Sequence, residues 1–332
     1  MENSKVFLRP VEKGNSANIE ETLKKCFDFD ALIPKGAKVA VKVNLSTPFA
    51  ENAEGSNTAP EILEAVCRIL KERTDNIVVG ESNGMRYNTL DAFEVTGYVP
   101  ILKQFGLEPT NFSEDERVDV GEPLINGWGV PKKLLEADVF ITLPVLKTHA
   151  TTVFTGALKN QFGCYPQHNR ILLHPHLDEV IVLMNKLLKP QLAVMDAIVA
   201  MEGRGPINGI PRRMDLLLAS GDLVALDSTA MRLVGLDPYT SEHVVMASQQ
   251  GLGQIDEAGI SIDGEFEKYK TEFEPAEKDF PIRLLGYISH SKFLTERLIL
   301  NPEAFYPLRK VAVSFRSVRD SVLGLFHQKR AS

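Results

Sequence analysis

Short apolar runs of strand length alternate with amphipathic stretches of helix length through about residue 250, and this alternation restricts the chain to few architectures. Residues 38–44 (KVAVKVN) alternate as a strand does, and residues 60–71 follow with Ile62, Val66, Ile69 and Leu70 at helical spacing. Thr58 or Asn57 is the expected cap of that helix, with Pro60 in its first turn. Further strands are read at 76–80, 137–144, 191–197 and 214–219. Further helices are read at 89–105 (broken near Gly97 and Pro100), 177–188 and 222–233. Strand, helix, strand in succession calls for right-handed crossovers. The expected fold is a doubly wound α/β core with a mainly parallel sheet and helices on both faces. That core spans 1–262. Residues 263–332 form a polar connector and a basic, amphipathic, helical C-terminal region.

Composition removes several function classes. The formal charge of −7 over 332 residues disfavours general affinity for nucleic acid or anionic lipid, though not a local basic patch. Three cysteines (Cys26, Cys67 and Cys164), none in a CxxC, exclude an Fe–S cluster held by four cysteines of one chain and a Cys-rich zinc site. The first residues lack a signal-peptide pattern and no apolar run reaches the length that spans a bilayer, so a cytoplasmic location is expected.

Ligands of parallel α/β sheets bind beyond the carboxyl ends of the strands. Four loops meet that rule. The first carries Asn44, Ser46 and Thr58 ahead of a helix, where backbone N–H groups can receive an anion. The second is Gly80-Glu81-Ser82-Asn83-Gly84, equally readable as a tight turn. The third is richest. It holds Lys147, Thr148 and His149, then Thr155, Gly156, Lys159 and Asn160. Lysine is rarely buried without a partner, and beside other cations its pKa falls, which suits a base or nucleophile. His149 titrates near neutrality. Solvated loop lysines with a hydrogen-bonded histidine are the plainer alternative. The fourth loop starts from Asp196 at a strand end and includes Glu202 and Arg204 in a glycine-rich turn.

His174-Pro175-His176 is an HxH pair whose rings would share a face on an extended segment, as metal ligands do. His174 and His176 are the metal candidates, with His149 as a third donor. Cys164 is a nucleophile or a buried structural thiol.

The run ITLPVLKTHATTVFTGALKNQFG, followed by MDAIVAMEGRGPINGIPRRMDLLLASGDLVALDSTAMRLVGLDP, resembles the family called domain of unknown function 362 over roughly residues 38–250. Many members of that family carry an added ferredoxin-type segment. Its absence here implies that any electrons come from a separate ferredoxin-type donor. A more distant similarity is to the N-terminal domain of nickel-pincer lactate racemases. There, as with His149 and Lys159, a histidine precedes a lysine by ten residues with a small-Gly turn between them. That resemblance implies Lys159 as the covalent attachment point of a pyridinium-mononucleotide or other phosphate-bearing cofactor. It implies His149 as an acid–base group, and a metal ligand near His174 and His176. Where those racemases have an upstream catalytic histidine this chain has Ser82, so a related cleft is implied rather than the same reaction.

The combined reading is an enzyme binding a small anionic or nucleotide-like ligand, with redox or isomerisation chemistry at a carbon bearing hydroxyl or carboxylate. His149 and Lys159 are its catalytic residues. The alternative is a non-catalytic protein that delivers a cofactor or metal, or a redox accessory, using the same cleft. A homodimer is a further expectation. Residues 308–330 carry Arg309, Lys310, Arg316, Arg319, Lys329 and Arg330 against Asp320, with Val311, Phe315, Val318, Val322 and Leu325 near one helical face. An ordinary packed helix, a partner-docking helix and a peripheral membrane helix all fit this pattern.

Overall fold

Val39–Val43 is buried at all five positions, as a strand covered on both faces must be, and it lies inside a ten-stranded sheet. The computed structural model describes residues 3–85, 87–125, 127–276, 280–301, 303–308 and 310–311. The strands are β1 (Ser4–Pro10), β2 (Val39–Val43), β3 (Ile77–Glu81), β4 (Pro109–Asn111), β5 (Val139–Leu143), β6 (Val145–His149), β7 (Val153–Thr155), β8 (Leu192–Glu202), β9 (Ile210–Ser220) and β10 (Ile260–Asp263). Their order is β10-β1-β9-β8-β5-β2-β3-β4, with β6 pairing β8 and β7.

The pairs β8–β5, β5–β2, β2–β3 and β3–β4 are parallel. The hairpin β8–β9, and β1 against β9, are antiparallel. The sheet is therefore mostly parallel but mixed. Helices cover both faces, and the alternation along β8 and β9 shows it. Val194, Ile198, Leu217 and Ala219 join one core with the helices Ser16–Cys26 and Pro60–Lys71. Ala193, Met195, Leu216 and Leu218 join the other with Leu177–Leu188 and Leu223–Leu233.

Pro60–Lys71 and Leu177–Leu188 occupy the positions their periodicity predicts. The 89–105 stretch is two helices, Thr89–Val95 and Tyr98–Gln104, parted at Gly97, whose φ of 78° suits glycine. Asp222 caps Leu223–Leu233 by accepting from the Ala225 N–H. The cap expected of Thr58 or Asn57 is a correction. Neither side chain caps the helix, and the Ala59 N–H is instead held by Asp196 from β8, at 2.7 Å.

The chain divides into two compact units. One comprises 1–168 with 176–277, and the other 169–175 with 278–332. The first takes in residues 264–277, which composition assigns to a connector. β10 pairs with β1, and the helix Phe266–Tyr269 packs the partly buried Phe266 and Tyr269 against the second core. The amphipathic stretch read at 308–330 lies, beyond Val311, outside the described residues.

Candidate functional site

Parallel register carries the polar ends of β2 and β3 to the same level. Lys42 pairs with Gly80, which puts Glu81 one residue beyond it. The Lys42 ammonium lies 2.5 Å from Glu81 Oε2 and also donates to the Val43 carbonyl (2.7 Å) and Asn160 Oδ1 (3.2 Å). Lys42 is wholly buried and Glu81 nearly so. The network continues inward. Asn160 Nδ2 donates to Thr142 Oγ1 (2.8 Å), and Thr142 donates to Gln161 Oε1 (2.9 Å). Gln161 Nε2 donates to Asn185 Oδ1 (3.1 Å) on the helix Leu177–Leu188. A buried polar ladder thus crosses from β3 to a helix.

Lys147 on β6 is also wholly buried. Its ammonium donates to Ser46 Oγ (2.9 Å) and the Ser56 carbonyl (2.8 Å). Burial holds its pKa well below the usual lysine range, and the like charges of Lys159 and Lys42 push the same way against Glu81 and Asp196. Asn44 and Thr58 knit the neighbouring loop. Asn44 Nδ2 donates to the Ser56 carbonyl (2.6 Å), and Thr58 Oγ1 accepts from the Asn44 N–H (3.1 Å) and donates to the Leu143 carbonyl (2.6 Å). Asp196 accepts from the Ala59 (2.7 Å) and Ile198 (2.9 Å) N–H groups, yet burial pushes its pKa up to about 7. The buried hydroxyls of Ser56, Ser82 and Thr155 have no hydrogen-bond partner, and Thr155 pairs in register with Lys147 across β6 and β7.

His149 ends β6. Its Nδ1 accepts from the Thr151 (3.0 Å) and Thr152 (3.2 Å) N–H groups, so the neutral ring carries its proton on Nε2. Lys159 sits on the short helix Ala157–Asn160, whose first amides are bound by Asp227 (Ala157 at 2.6 Å, Leu158 at 2.9 Å). Burial pushes the Asp227 carboxyl up to about 7 as well. Gly156 is required there, because a Cβ would stand 2.2 Å from Asp227 Oδ1.

Of the residues read from sequence, Glu81 and Asn160 join the Lys42 ladder, Asn44, Ser46, Thr58 and Lys147 are knit together about Ser56, Asp196 holds the Ala59 and Ile198 amides, and the Ser82 hydroxyl has no partner. Other candidates have local duties. Asn83 Oδ1 accepts from the Thr89 N–H (2.9 Å) and Asn111 Nδ2 (3.0 Å). Thr148 Oγ1 donates to the Gly203 carbonyl (2.9 Å), which ties the Glu202–Arg204 turn to β6. Glu202 pairs with Arg212 (3.1 Å) and accepts from the Glu274 N–H (3.1 Å). The HxH geometry is corrected. Residues Arg170–His176 form a 3₁₀ helix, not an extended segment, so side chains two apart diverge. His176 is exposed, with Nδ1 3.6 Å from Glu179. Among the described residues no three His, Cys, Asp or Glu converge as a metal ion requires. Cys164 is wholly buried.

Lys42, Ser56, Gln161 and Asp227 were not among the site residues read from sequence, nor was Gly163, where a Cβ would stand 2.6 Å from Glu81 Oε1 and 2.8 Å from the Lys42 ammonium. Lys42 alone had a signal, as a charge inside an otherwise apolar strand flanked on both sides. A second missed group is the buried His243. Its Nδ1 is 3.1 Å from Asp178 and its Nε2 has no partner. Burial lowers its pKa against the pull of Asp178, and Lys159 adds to the lowering.

The solved lactate racemase apoprotein from Thermoanaerobacterium thermosaccharolyticum aligns with a TM-score of 0.42 and 13% identity, over 65% of this chain and 54% of its own. A structural-genomics target from Thermotoga maritima gives 0.39 and 12%, over 73% of this chain and 60% of its own. The chain thus spans less than two thirds of either solved protein. Thylakoid-associated protein sll1697 of Synechocystis sp. (strain PCC 6803) is 32% identical over 228 residues, 67% of this chain and 70% of its own length. The family model described as Domain of unknown function (DUF362) matches residues 39–232, the segment that contains the whole buried network, and the chain belongs to that family.

Proposed function

We propose that the protein binds a small phosphate- or carboxylate-bearing cofactor or substrate at the Lys147–Lys159 cluster and acts on a carbon bearing hydroxyl or carboxylate, by redox or isomerisation chemistry. The observation that carries this reading is the complete burial of Lys147, its ammonium held by Ser46 and Ser56 and its pKa lowered by burial and by the like charges of Lys159 and Lys42. Burial favours the neutral forms of both Lys147 and Asp196. An anion bound beside Lys147 favours its charged ammonium.

The donor set suits a phosphate-bearing group. Lys147 and Lys159 supply charge, and the unpartnered hydroxyls of Ser56, Ser82 and Thr155 supply neutral donors. A pyridinium-mononucleotide cofactor held this way would supply an electron-accepting ring. The chain's own residues bind and orient it. His149, with its proton on Nε2, is the group that gives or takes a proton, and Lys159 is the amine for attachment or electrostatic anchoring. Among the described residues no three His, Cys, Asp or Glu converge to hold a metal ion at this site. A separate electron donor completes the redox variant of this reading.

The test is paired native and denaturing mass spectrometry on protein purified without oxygen, with calorimetric titration of pyrophosphate. The reading predicts an adduct mapping to Lys159 or a ligand retained in the native spectrum. It also predicts pyrophosphate binding that falls at least tenfold in Lys147→Met. A bare chain in both spectra together with no pyrophosphate binding overturns it. Retained ligand without any turnover favours a carrier over an enzyme.

A further inference from the structure

Exposed apolar side chains are concentrated in one part of the protein. Of eleven large hydrophobic residues exposed among the described residues, seven lie between Leu284 and Val311, all in the smaller compact unit. Tyr287 is 84% exposed, Val311 68% and Phe293 66%. These are not failures of a unit without an inside, since Thr295 and Ile299 of the same unit are buried. Leu284 and Tyr287 are three residues apart on the helix Phe280–Ser289, so they share its outer face. Arg297 lies over the Phe293 ring at 5.6 Å, which puts a cation beside an outward aromatic.

The sequence from residue 283 onward is also basic. It holds nine Lys or Arg against three Asp or Glu, a formal +6, while the whole chain carries −7, and its described residues include Arg283, Lys292, Arg297 and Lys310 against Glu296 and Glu303. The remaining 282 residues therefore carry −13. A soluble partner-free surface has no use for aromatic and aliphatic side chains interleaved with a local positive surplus. An anionic bilayer surface matches both properties at once. Aromatic rings and aliphatic chains enter the headgroup boundary while Lys and Arg meet lipid phosphates. The acidic remainder of the chain is repelled by the same surface, so attachment is confined to one region.

We propose that the C-terminal unit is a peripheral membrane-binding element that docks on anionic lipid through Tyr287, Phe293, Val311 and the basic residues around them. Among the described residues no helix is long and apolar enough to cross a membrane, so the contact is interfacial. The inference does not depend on the function proposed for the buried network.

The experiment is co-sedimentation of the full chain with phosphatidylglycerol/phosphatidylcholine vesicles and with pure phosphatidylcholine vesicles, at 50 mM and 500 mM salt. The expected result is binding to the anionic vesicles at low salt, weak binding to the neutral ones, and loss at high salt. Lys292→Gln with Arg297→Gln is expected to weaken binding about fivefold per charge removed. Tyr287→Ser with Phe293→Ser is expected to weaken it further, with melting temperature and circular dichroism unchanged because these side chains are exposed. No sedimentation with anionic vesicles at 50 mM salt overturns the proposal, as does equal binding to both lipids. Concentration-dependent self-association that the Tyr287/Phe293 variant abolishes, without vesicle binding, overturns it in favour of a second copy as the occupant.

Discussion

The Lys42 ammonium and the Glu81 carboxylate form a buried ion pair between adjacent parallel strands, with side-chain exposures of 0% and 6%. Removing one partner strands the other charge where water does not reach. Glu81→Gln is expected to cost about 3–5 kcal/mol in urea-unfolding stability, and Lys42→Met with Glu81→Leu to recover most of that loss. Equal losses for the single and double variants would show that the pair is not the source.

Asp196 keeps its proton up to about pH 7 in the folded chain, against an ordinary value of 3.8. The folded state then binds more protons than the unfolded one between those values. The associated stability is complete below about pH 4 and is lost as pH rises through 7. Relative to Asp196→Asn, the wild type should lose about 4 kcal/mol between pH 4 and pH 8. Chemical denaturation across that range measures it, and parallel profiles for the two proteins contradict it.

Gly156→Ala should loosen the Lys159 helix. Its Cβ would collide with Asp227 Oδ1 at 2.2 Å and the Phe154 ring at 2.4 Å, so the carboxylate must leave the Ala157 and Leu158 amides. A loss of about 2–4 kcal/mol follows from overpacking plus two broken charge-assisted hydrogen bonds. Hydrogen exchange at those two amides should accelerate beyond what the global stability change explains.

His149 should appear in ¹⁵N spectra of the neutral protein as the Nε2–H tautomer, because two backbone N–H groups occupy Nδ1. His149→Asn, which can keep an acceptor near that position, should preserve the loop better than His149→Ala. Exchange protection at the Thr151 and Thr152 amides is the readout.

Local patterns made much of the fold legible. Residues 60–71 and 177–188 announce themselves by spacing, and 38–44 by alternation. Lys42 carried a signal as a charge inside an apolar strand, but alternation reads such a residue as facing solvent, whereas β2 is covered on both sides. The Asn44, Ser46, Thr58, Glu81, Lys147 and Asp196 cluster was legible because parallel strands deliver their carboxyl ends to one place. What stayed hidden was partnership across long separations. Asp196 binds an amide 137 residues away, and Asp178 meets His243 across 65. No local window carries that information. The antiparallel β8–β9 hairpin was hidden for a related reason, because only the first part of β8 and the last part of β9 read as strands, while each runs for 11 residues and the halves next to the turn were missed.

The buried polar groups are gathered at the carboxyl ends of β2, β3 and β5 and at Asp196, which lies within β8 and not at the strand end expected from sequence, so the opposite rim of the sheet is free for engineering. The Lys35–Gly36 turn ahead of β2 is exposed, and a Cβ at Gly36 meets nothing within 4 Å. Asp75, ahead of β3, has a side chain that is 93% exposed. A fluorescent reporter or affinity handle spliced into either turn would ride on the sheet away from the lysine cluster, so the binding proposed there can be tested without altering Lys147 or its hydrogen-bond partners.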